Sequence, residues 1–534
     1  MNICYKITLC ILTLCSCTTL FAQSPNVLLV IADDLGVDAF NGYDLGSFNP
    51  ITPNLDSLRN SGVTFTNAWA SSVCTPTRAG IMSGKYGSKS GVKTTPGNLD
   101  TTHVSLLNAL KDSSSNYSSA VIGKWHIAMP ANPQHPVWHG ADHYMGVIEG
   151  SVSAYDNWNK TENNSTAICT EYVTSYFTDD AISWISNQND PWFLWLAHIV
   201  PHTPLHVPPS HMYSQPTTNT PLKKYMAMIE SLDYEVGRLL DSMSPAELSN
   251  TTIIFIGDNG TPHNLLQDYP SQHGKQTLYQ GGIHVPMFVS GSGVSRTGET
   301  ENALIHVVDI YATILDLTGS DLPGGIYNSL SFKHLLSSSV LPKRQYNFTE
   351  LDSNQTNINI QGHAIRNNEY KLIEYHNGVQ EMYNLVTDPL ETTDLLPGTL
   401  SAQEQAIKTE LENEATQRIT AWSCKDDIQN GDEQGIDCGG TYCPPCSASS
   451  ITQQSTVSNI SVSPNPTNHS FTITSNGNEI EYIKVFNTLG EIVFTKEVVA
   501  SVSTTIDLSH LKANIYYLQI NLTHQTEVVK IIIE

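Results

Sequence analysis

Positive charge is scarce in this 534-residue sequence: 26 Lys and Arg stand against 51 Asp and Glu, a formal net charge of −25. Nucleic acid is thereby excluded as a partner, because a phosphate backbone is bound by clustered cations and the long-range field here repels it. An anionic small substrate would need cations placed locally at its site. Charged residues make up only 14%, and the many Asn, Ser, Thr and Gly suit an extracellular, salty medium. Beyond residue 22 no run has the length and apolar continuity of a transmembrane segment. Before it, Lys6, the apolar run Ile7 to Leu14 and the ending Phe21-Ala22-Gln23 have the layout of a secretory signal peptide over residues 1–23. Leu14-Cys15-Ser16-Cys17 approximates a lipoprotein box that would place a lipid on Cys17, with Cys15 an unusual occupant. Cysteine is sparse outside this leader. Cys74 and Cys169 stand alone, whereas Cys424, Cys438, Cys443 and Cys446 crowd one segment. Export favours two disulfides there, in any of three connectivities, over a zinc site.

A chain of this length calls for two or three folded units. From Asn26 to about Ser290 short apolar runs alternate with helical patterns, the mark of an α/β unit with a mostly parallel sheet covered by helices. Strands are expected at Val27–Ile31, Ser119–Ile122, Trp192–Ala197, Thr252–Ile256 and Val285–Val289. Helices are expected at Pro53–Asn60, with Thr52 as N-cap and Gly62 just past the end, at Leu222–Ser242 and at His306–Leu317. This unit spans 24–340. Residues 341–422 change to short alternating strands and a polar helix at Ala402–Thr420, a smaller antiparallel α+β subdomain. A Cys-rich linker module follows at 423–450. Residues 455–534 are strand-like throughout and suggest a β-sandwich.

Polar clusters fall where four of the expected strands end. Val27–Ile31 leads to Asp33 and Asp34, Ser119–Ile122 to Lys124 and His126, Trp192–Ala197 to His198 and His202, and Thr252–Ile256 to Asp258 and Asn259. Each pair alone reads as a helix cap or turn. Four together at one edge of a parallel sheet, where ligands bind, do not. Asp33, Asp34, Asp258 and Asn259 make an all-oxygen set with three carboxylates, suited to a hard cation such as Ca²⁺ or Mg²⁺. Lys124, Lys275, Arg78, His126 and His202 supply the local positive charge that a sulfate or phosphate needs.

Cys74-Thr75-Pro76-Thr77-Arg78, continuing to Gly84, resembles the maturation signature of the formylglycine-dependent sulfatases, in which that cysteine is oxidised to an aldehyde. Asp33-Asp34-Leu35-Gly36, Gly123-Lys124-Trp125-His126, Pro201-His202-Thr203-Pro204, Gly257-Asp258-Asn259-Gly260, Gly274-Lys275 and Gly281-Gly282-Ile283-His284 follow that family's blocks in order, over roughly Pro25 to Leu395. The resemblance implies an alkaline-phosphatase-like fold and one calcium ion per chain held by Asp33, Asp34, Cys74 in its modified form, Asp258 and Asn259. It implies further that Arg78 holds the formylglycine, that Lys124, Lys275 and His202 grip the sulfate, and that His126 contacts the nucleophile. Where this chain has His284 the family usually has Arg, so a structural role is expected there. His198 and His206 match no catalytic position and are expected to pack or touch substrate. Cys169 is expected as a free, partly buried thiol.

The implied chemistry is hydrolysis of a sulfate ester. One hydroxyl of the hydrated aldehyde attacks sulfur, and the second expels sulfate with His126 as base. A sulfated polysaccharide or its oligosaccharides is the expected substrate, with ulvan or carrageenan ahead of glycosaminoglycans or mucins. The alternatives are a formylglycine-dependent phosphodiesterase or phosphonate hydrolase, and a non-catalytic binder of sulfated glycans. The loops Gln134–Tyr155, Tyr155–Trp158 and His263–His273 are expected to line the entrance. Ser461-Val462-Ser463-Pro464-Asn465-Pro466, Tyr482 to Gly490 and Val528 to Glu534 resemble the sorting domain of the type IX secretion system of Bacteroidetes; a carbohydrate-binding sandwich is the alternative. The expected partners are therefore a formylglycine-generating maturation enzyme, the type IX secretion machinery and a sulfated carbohydrate. The protein is expected to cross the periplasm and end secreted or attached to the cell surface. Peptide mass spectrometry of active protein should find an aldehyde at position 74; full activity with only unmodified cysteine there would rule the nucleophile out.

Overall fold

The computed structural model describes residues 24–111, 117–128, 132–162, 164–214, 219–326, 328–339, 344–352, 360–420, 460–475, 479–487, 492–522 and 525–533. The expected leader with Cys17, and the Cys-rich module with its four cysteines, lie outside these residues. The chain divides into two compact units between Cys446 and Ser447.

The first unit is built on a ten-stranded sheet. Its strands are β1 (Asn26–Ala32), β2 (Gly62–Trp69), β3 (Ser118–Lys124), β4 (His143–Val147), β5 (Trp158–Glu162), β6 (Ser165–Cys169), β7 (Trp192–Ala197), β8 (Thr251–Gly257), β9 (Met287–Gly291) and β10 (Glu299–His306). Their order is β10-β2-β9-β8-β1-β7-β3-β4-β5-β6. The central strands β8, β1, β7, β3 and β4 are mutually parallel, while β9 runs antiparallel to both β8 and β2. All seven residues of β1 and all six of β7 are buried. Alternation sorts them onto two faces: Val27, Leu29, Ile31 and Trp195 enter one core, and Leu28, Val30, Leu194 and Leu196 the other. The helices Cys74–Ser83 and Asp309–Thr318 cover the first face, with Ile81, Met82, Ile310 and Ile314. Pro53–Asn60, Val173–Ser186 and Pro221–Ser242 cover the second, with Leu55, Phe177, Met226 and Ile229. This double cover is why the parallel strands are uniformly apolar and not alternating. Among the described residues no helix is long and apolar enough to cross a membrane.

A second sheet, β11 (Asn347–Leu351), β12 (Gly362–Arg366), β13 (Tyr370–Tyr375) and β14 (Gln380–Asn384), is antiparallel in sequential order. The Ala402–Thr420 helix packs Leu411 and Ala415 against its Ile365, Leu372 and Met382. The second unit is a two-sheet sandwich. Strands β15 (Ile460–Ser463), β16 (Ser470–Ser475), β17 (Ile480–Phe486), β18 (Ile492–Ser501), β19 (Ser503–Asp507), β20 (Asn514–Leu522) and β21 (Gln525–Ile533) form sheets ordered β15-β16-β19 and β18-β17-β20-β21. Phe471, Ile473, Ile483, Val485, Leu518 and Ile531 fill its core.

Three expected elements differ. The strand expected at Val285–Val289 begins at Met287, because Pro286 has no N–H to give to a ladder. Gly62 does lie just past the Pro53–Asn60 helix and also opens β2, where a Cβ would sit 2.1 Å from the Val289 carbonyl oxygen. The helix expected from His306 starts at Asp309, since His306 ends β10, a strand whose exposed alternate residues hid it. Thr52 precedes its helix without a side-chain capping bond.

Close strand approach positions the functional edge. Gly123 has φ +107° and no room for a Cβ against the Ala197 carbonyl, and Gly146 of β4 lies against Gly123 in the same way, with a Cβ 1.9 Å from its carbonyl oxygen. Gly146→Ala should therefore destabilise the first unit by about 1–3 kcal/mol in urea unfolding, because backbone must move to admit the methyl.

Candidate active site

Strands β8, β1, β7 and β3 are neighbours and end level: Ala32 pairs with Gly257, Ile31 with Ala197 and Ala197 with Gly123. The residues that follow them meet at one edge. Asp33, Asp258, Asn259 and Lys124 are fully buried and Asp34 nearly so. Buried charges persist only when paired. Lys124 Nζ donates to Asp33 Oδ2 at 2.5 Å, Lys275 Nζ donates to Asp34 Oδ1, and Asn259 Nδ2 donates to Asp34 Oδ1 at 2.9 Å. His202 Nε2 lies 3.8 Å from Asp34 Oδ2 while its Nδ1 donates to the Thr203 carbonyl at 2.7 Å.

Cys74 is the first residue of a ten-residue helix ended by Gly84 in the left-handed conformation. Pro76 is tolerated because the first-turn N–H groups have no helical partner. Residues four apart share a helix face. Arg78 therefore lies under Cys74, sending Nε (3.0 Å) and Nη2 (2.7 Å) to Asp258 Oδ2 and Nη1 to the Lys124 carbonyl (2.8 Å). Thr77 Oγ1 accepts from the Ser71 amide at 2.9 Å and ties the helix to the turn before it. Cys74 Sγ lies 3.1 Å from His126 Nδ1. Asp34 and His126, both outside regular strand, have φ of 68° and 56°; such left-handed backbone costs a non-glycine residue on the order of 1–3 kcal/mol, borne here to turn the side chains inward.

Electrostatics follow from this packing. Burial alone would raise Asp34, but the charges of Lys275, His202 and Lys124 outweigh it and hold it below the usual carboxylate range. Asp258 is lifted to about 6, by burial first and then by the charge of Asp33, against the pull of Arg78 and Lys124. Burial opposes the Lys275 charge, yet Asp34, Cys74 and Asp33 hold its pKa above the ordinary value. His126 is pushed well below its usual value by burial and by the cations Lys124 and Arg78, so its imidazole is neutral.

The donor set fits a hard cation. Ligand atoms of Asp33, Cys74 and Asp258 all lie within 4.8 Å of one another, as do those of Asp33, Asp34 and His202. Asp33 Oδ1 and Asn259 Oδ1 are buried without a hydrogen-bond partner among the described residues. A buried oxygen left so costs about 1–3 kcal/mol, which a bound cation would relieve.

All of the expected site residues thus converge: Asp33, Asp34, Cys74, Arg78, Lys124, His126, His202, Asp258, Asn259 and Lys275. Other expectations sort differently. His198 is fully buried with both ring nitrogens unpartnered among the described residues, held neutral by burial at a pKa of about 3; it packs near Phe177 and cannot touch substrate. His206 stacks on Tyr155 at 4.0 Å, and the Tyr155 hydroxyl donates to the His202 carbonyl at 2.6 Å. Tyr155 and Trp158 are buried, so their loop braces His202 instead of presenting aromatic faces at the entrance. His284 bonds the Thr66 carbonyl through Nε2 at 2.7 Å. Cys169 is a half-buried free thiol. Sequence reasoning missed Thr95, whose Oγ1 lies 3.3 Å from His126 Nε2 and 2.8 Å from Thr75 Oγ1, and Tyr225, whose hydroxyl donates to the Asp34 carbonyl at 2.5 Å. Neither sits in a motif, and Tyr225 lies on the buried face of a long helix, where an aromatic reads as core.

The family model described as "Sulfatase" matches residues 25–320, over half of the chain. The chain belongs to the sulfatase family. Residues 271–420 match "N-sulphoglucosamine sulphohydrolase, C-terminal" and 461–534 match "Secretion system C-terminal sorting domain". Among curated relatives, the uncharacterized sulfatase YdeN of Escherichia coli (strain K12) is 28% identical over 363 residues, covering 56% of this chain and 63% of that protein. Human N-acetylgalactosamine-6-sulfatase is 26% identical over 342 residues, with the same coverage. The chain thus spans just under two thirds of the length of these sulfatase relatives. Among solved structures, Ps i-CgsB in complex with k-i-k-neocarrahexaose aligns with a TM-score of 0.65 and 24% identity over 76% of this chain and 94% of that one. BT4656 in complex with its substrate D-glucosamine-2-N,6-O-disulfate aligns with a TM-score of 0.63 and 20% identity over 74% and 98%. Both share the sulfatase fold.

Removing the guanidinium that binds Asp258 would strand a fully buried carboxylate. Arg78→Met should lower stability by about 3–5 kcal/mol in denaturant unfolding, far beyond the cost of a surface charge.

Proposed function

We propose that this chain hydrolyses sulfate esters on a carbohydrate, using an aldehyde made from Cys74 and one calcium ion. The placement of Cys74 carries the reading: its Sγ stands at a helix start, 3.1 Å from His126 Nδ1 and within 4.8 Å of carboxylate oxygens of Asp33 and Asp258. Asp33, Asp34, Asp258, Asn259 and the matured residue 74 would hold the calcium. The aldehyde, hydrated, supplies a hydroxyl nucleophile, and the calcium polarises the oxygens bound to it.

The remaining work belongs to the chain's own side chains. Three buried carboxylates face three permanent cations, Arg78, Lys124 and Lys275. A divalent ion added to that balance leaves a net positive site inside an acidic protein, as an anionic ester requires. Lys124 and Lys275 hold sulfate oxygens. His202 in its doubly protonated form keeps Nδ1–H on the Thr203 carbonyl and gives the proton on Nε2 to the departing oxygen. Neutral His126 presents Nδ1 toward residue 74 to accept a proton, with Nε2 turned to Thr95. Arg78 fixes Asp258 and so the ligand edge.

A sugar sulfate is the substrate class supported by the human relative, named for N-acetylgalactosamine 6-sulfate. Polysaccharides such as ulvan or carrageenan fit an exported enzyme. The division we propose is a leader at 1–23, a catalytic domain at 24–340, a subdomain at 341–422, a Cys-rich linker at 423–450 and a sorting sandwich at 455–534. The match to a secretion sorting domain supports delivery through the periplasm to the cell surface or medium.

Purified, calcium-loaded protein should turn over 4-nitrophenyl sulfate well above bis(4-nitrophenyl) phosphate, and chelation should abolish this until calcium is restored. His202→Ala should cost on the order of 10²–10⁴ in rate on a carbohydrate sulfate, whose alcohol leaves poorly, and far less on the nitrophenyl ester. Preference for the phosphodiester, or full activity without metal, would refute the reading.

A further inference from the structure

Beside the edge that carries Lys275 lies a cavity of about 440 Å³, within the range of small-ligand pockets. Its walls come from His263 and Gln272 before Lys275, the segment just after Lys275, Ile360 ahead of β12, and strands β13 and β14 with the turn between them. Leu278, Val379 and the rings of Tyr279 and Tyr375 form an apolar floor, while Gln276 and Glu381 add polar groups. The Tyr279 ring is held rigid by His273, stacked at 3.6 Å and 8°. Its hydroxyl and that of Tyr383 both donate to Glu381 Oε2, at 2.7 and 2.8 Å. The other Glu381 oxygen has no hydrogen-bond partner among the described residues and remains for a ligand hydroxyl.

Gln276, one of the lining residues, ties the cavity wall to the proposed chemistry along the chain. That residue follows Lys275, has φ 71°, and donates its amide to the Ser72 carbonyl at 2.9 Å, two residues before Cys74. The cavity wall at Gln276 is therefore joined to Lys275 by one peptide bond and to the turn before Cys74 by one hydrogen bond.

Charge decides what can enter. Among the described residues the lining has one carboxylate, Glu381, one imidazole, His263, and neither Lys nor Arg. Lys371, whose ammonium lies 6.0 Å from the Tyr279 ring centroid, is fully buried and bound to Glu391. A second sulfate would meet the Glu381 carboxylate without a described Lys or Arg to offset it, so its lost hydration would be poorly replaced. A sugar ring fits: its C–H face lies on the aromatic floor and its hydroxyls reach the amide and carboxylate.

We propose that this cavity is a subsite for an uncharged sugar ring in the same saccharide whose sulfated unit sits at Cys74. The inference rests on the sulfate-ester reading and adds that the flanking unit carries neither sulfate nor carboxylate.

The test is calorimetric titration of the full chain, metal-free and with Cys74 unmodified, with neoagarotetraose, xylotetraose, cellotetraose and chitotetraose, and with tetragalacturonate as the anionic control. At least one neutral probe should bind. Tyr375→Ala and, at a half-exposed position that tolerates change, Val379→Glu should each weaken it by about tenfold or more. Absence of binding by every neutral probe, binding unaltered in both variants, or tetragalacturonate binding that both variants abolish would overturn the proposal. None of these titrations needs aldehyde or calcium. Failure here leaves sulfate hydrolysis standing, whereas failure of 4-nitrophenyl sulfate turnover would leave a neutral-sugar site and remove its link to a sulfated unit at Cys74.

Discussion

Three carboxylates, Asp33, Asp34 and Asp258, are buried together at the end of a parallel sheet, and the rest of the site is arranged around that repulsion. Each is answered by a cation from a different place: Lys124 from the end of β3, Lys275 from a long loop, and Arg78 from the Cys74–Ser83 helix. The same helix therefore delivers the nucleophile position and the guanidinium that fixes a metal-ligand candidate, one turn apart. Geometry there cannot drift at one residue without exposing a charge imbalance at another.

This local neutrality would reconcile an acidic chain with the anionic ester of the proposed reaction. A net charge of −25 repels sulfate at long range, but screening confines that field to about 8–10 Å at ordinary salt. Within the site the balance is set by a few buried groups. Adding a divalent cation to a matched set changes its sign. The lining of the nearby cavity differs, with a carboxylate and phenol rings and, among its described residues, neither Lys nor Arg, so under the proposed reading the two places would take different parts of a saccharide.

The sheet supplies the rigidity that such a site needs. Central strands buried on both faces leave their ends level, and glycines at 123 and 146 let neighbouring backbones close to contact distance. Loops supply the adjustable parts: Tyr155 and His206 brace the His202 loop, while Gln276 lines the cavity and gives its amide to the Ser72 carbonyl.

Much of this was legible in the sequence. The β-α alternation, the four strand ends with their polar pairs and the Cys74 to Gly84 block are local patterns, and short-range chemistry determines them: apolar runs must be buried, Pro76 suits a first helical turn, and Asp-Asp or Asp-Asn after a strand must find a counter-charge. The ten residues expected at the site all come to it for that reason. What tertiary structure alone decided are the relations between distant segments. The antiparallel insertion of β9, the strands β2 and β10, the supporting contacts of Thr95 and Tyr225, the burial of His198, Tyr155 and Trp158, and the union of the Lys275 segment with β13 and β14 depend on which surfaces meet between segments separated in the chain, from Thr75 and Thr95 to Asp34 and Tyr225. No local spacing encodes those meetings, because they are chosen by packing and by the pairing of buried charges, which exist only once the chain has folded.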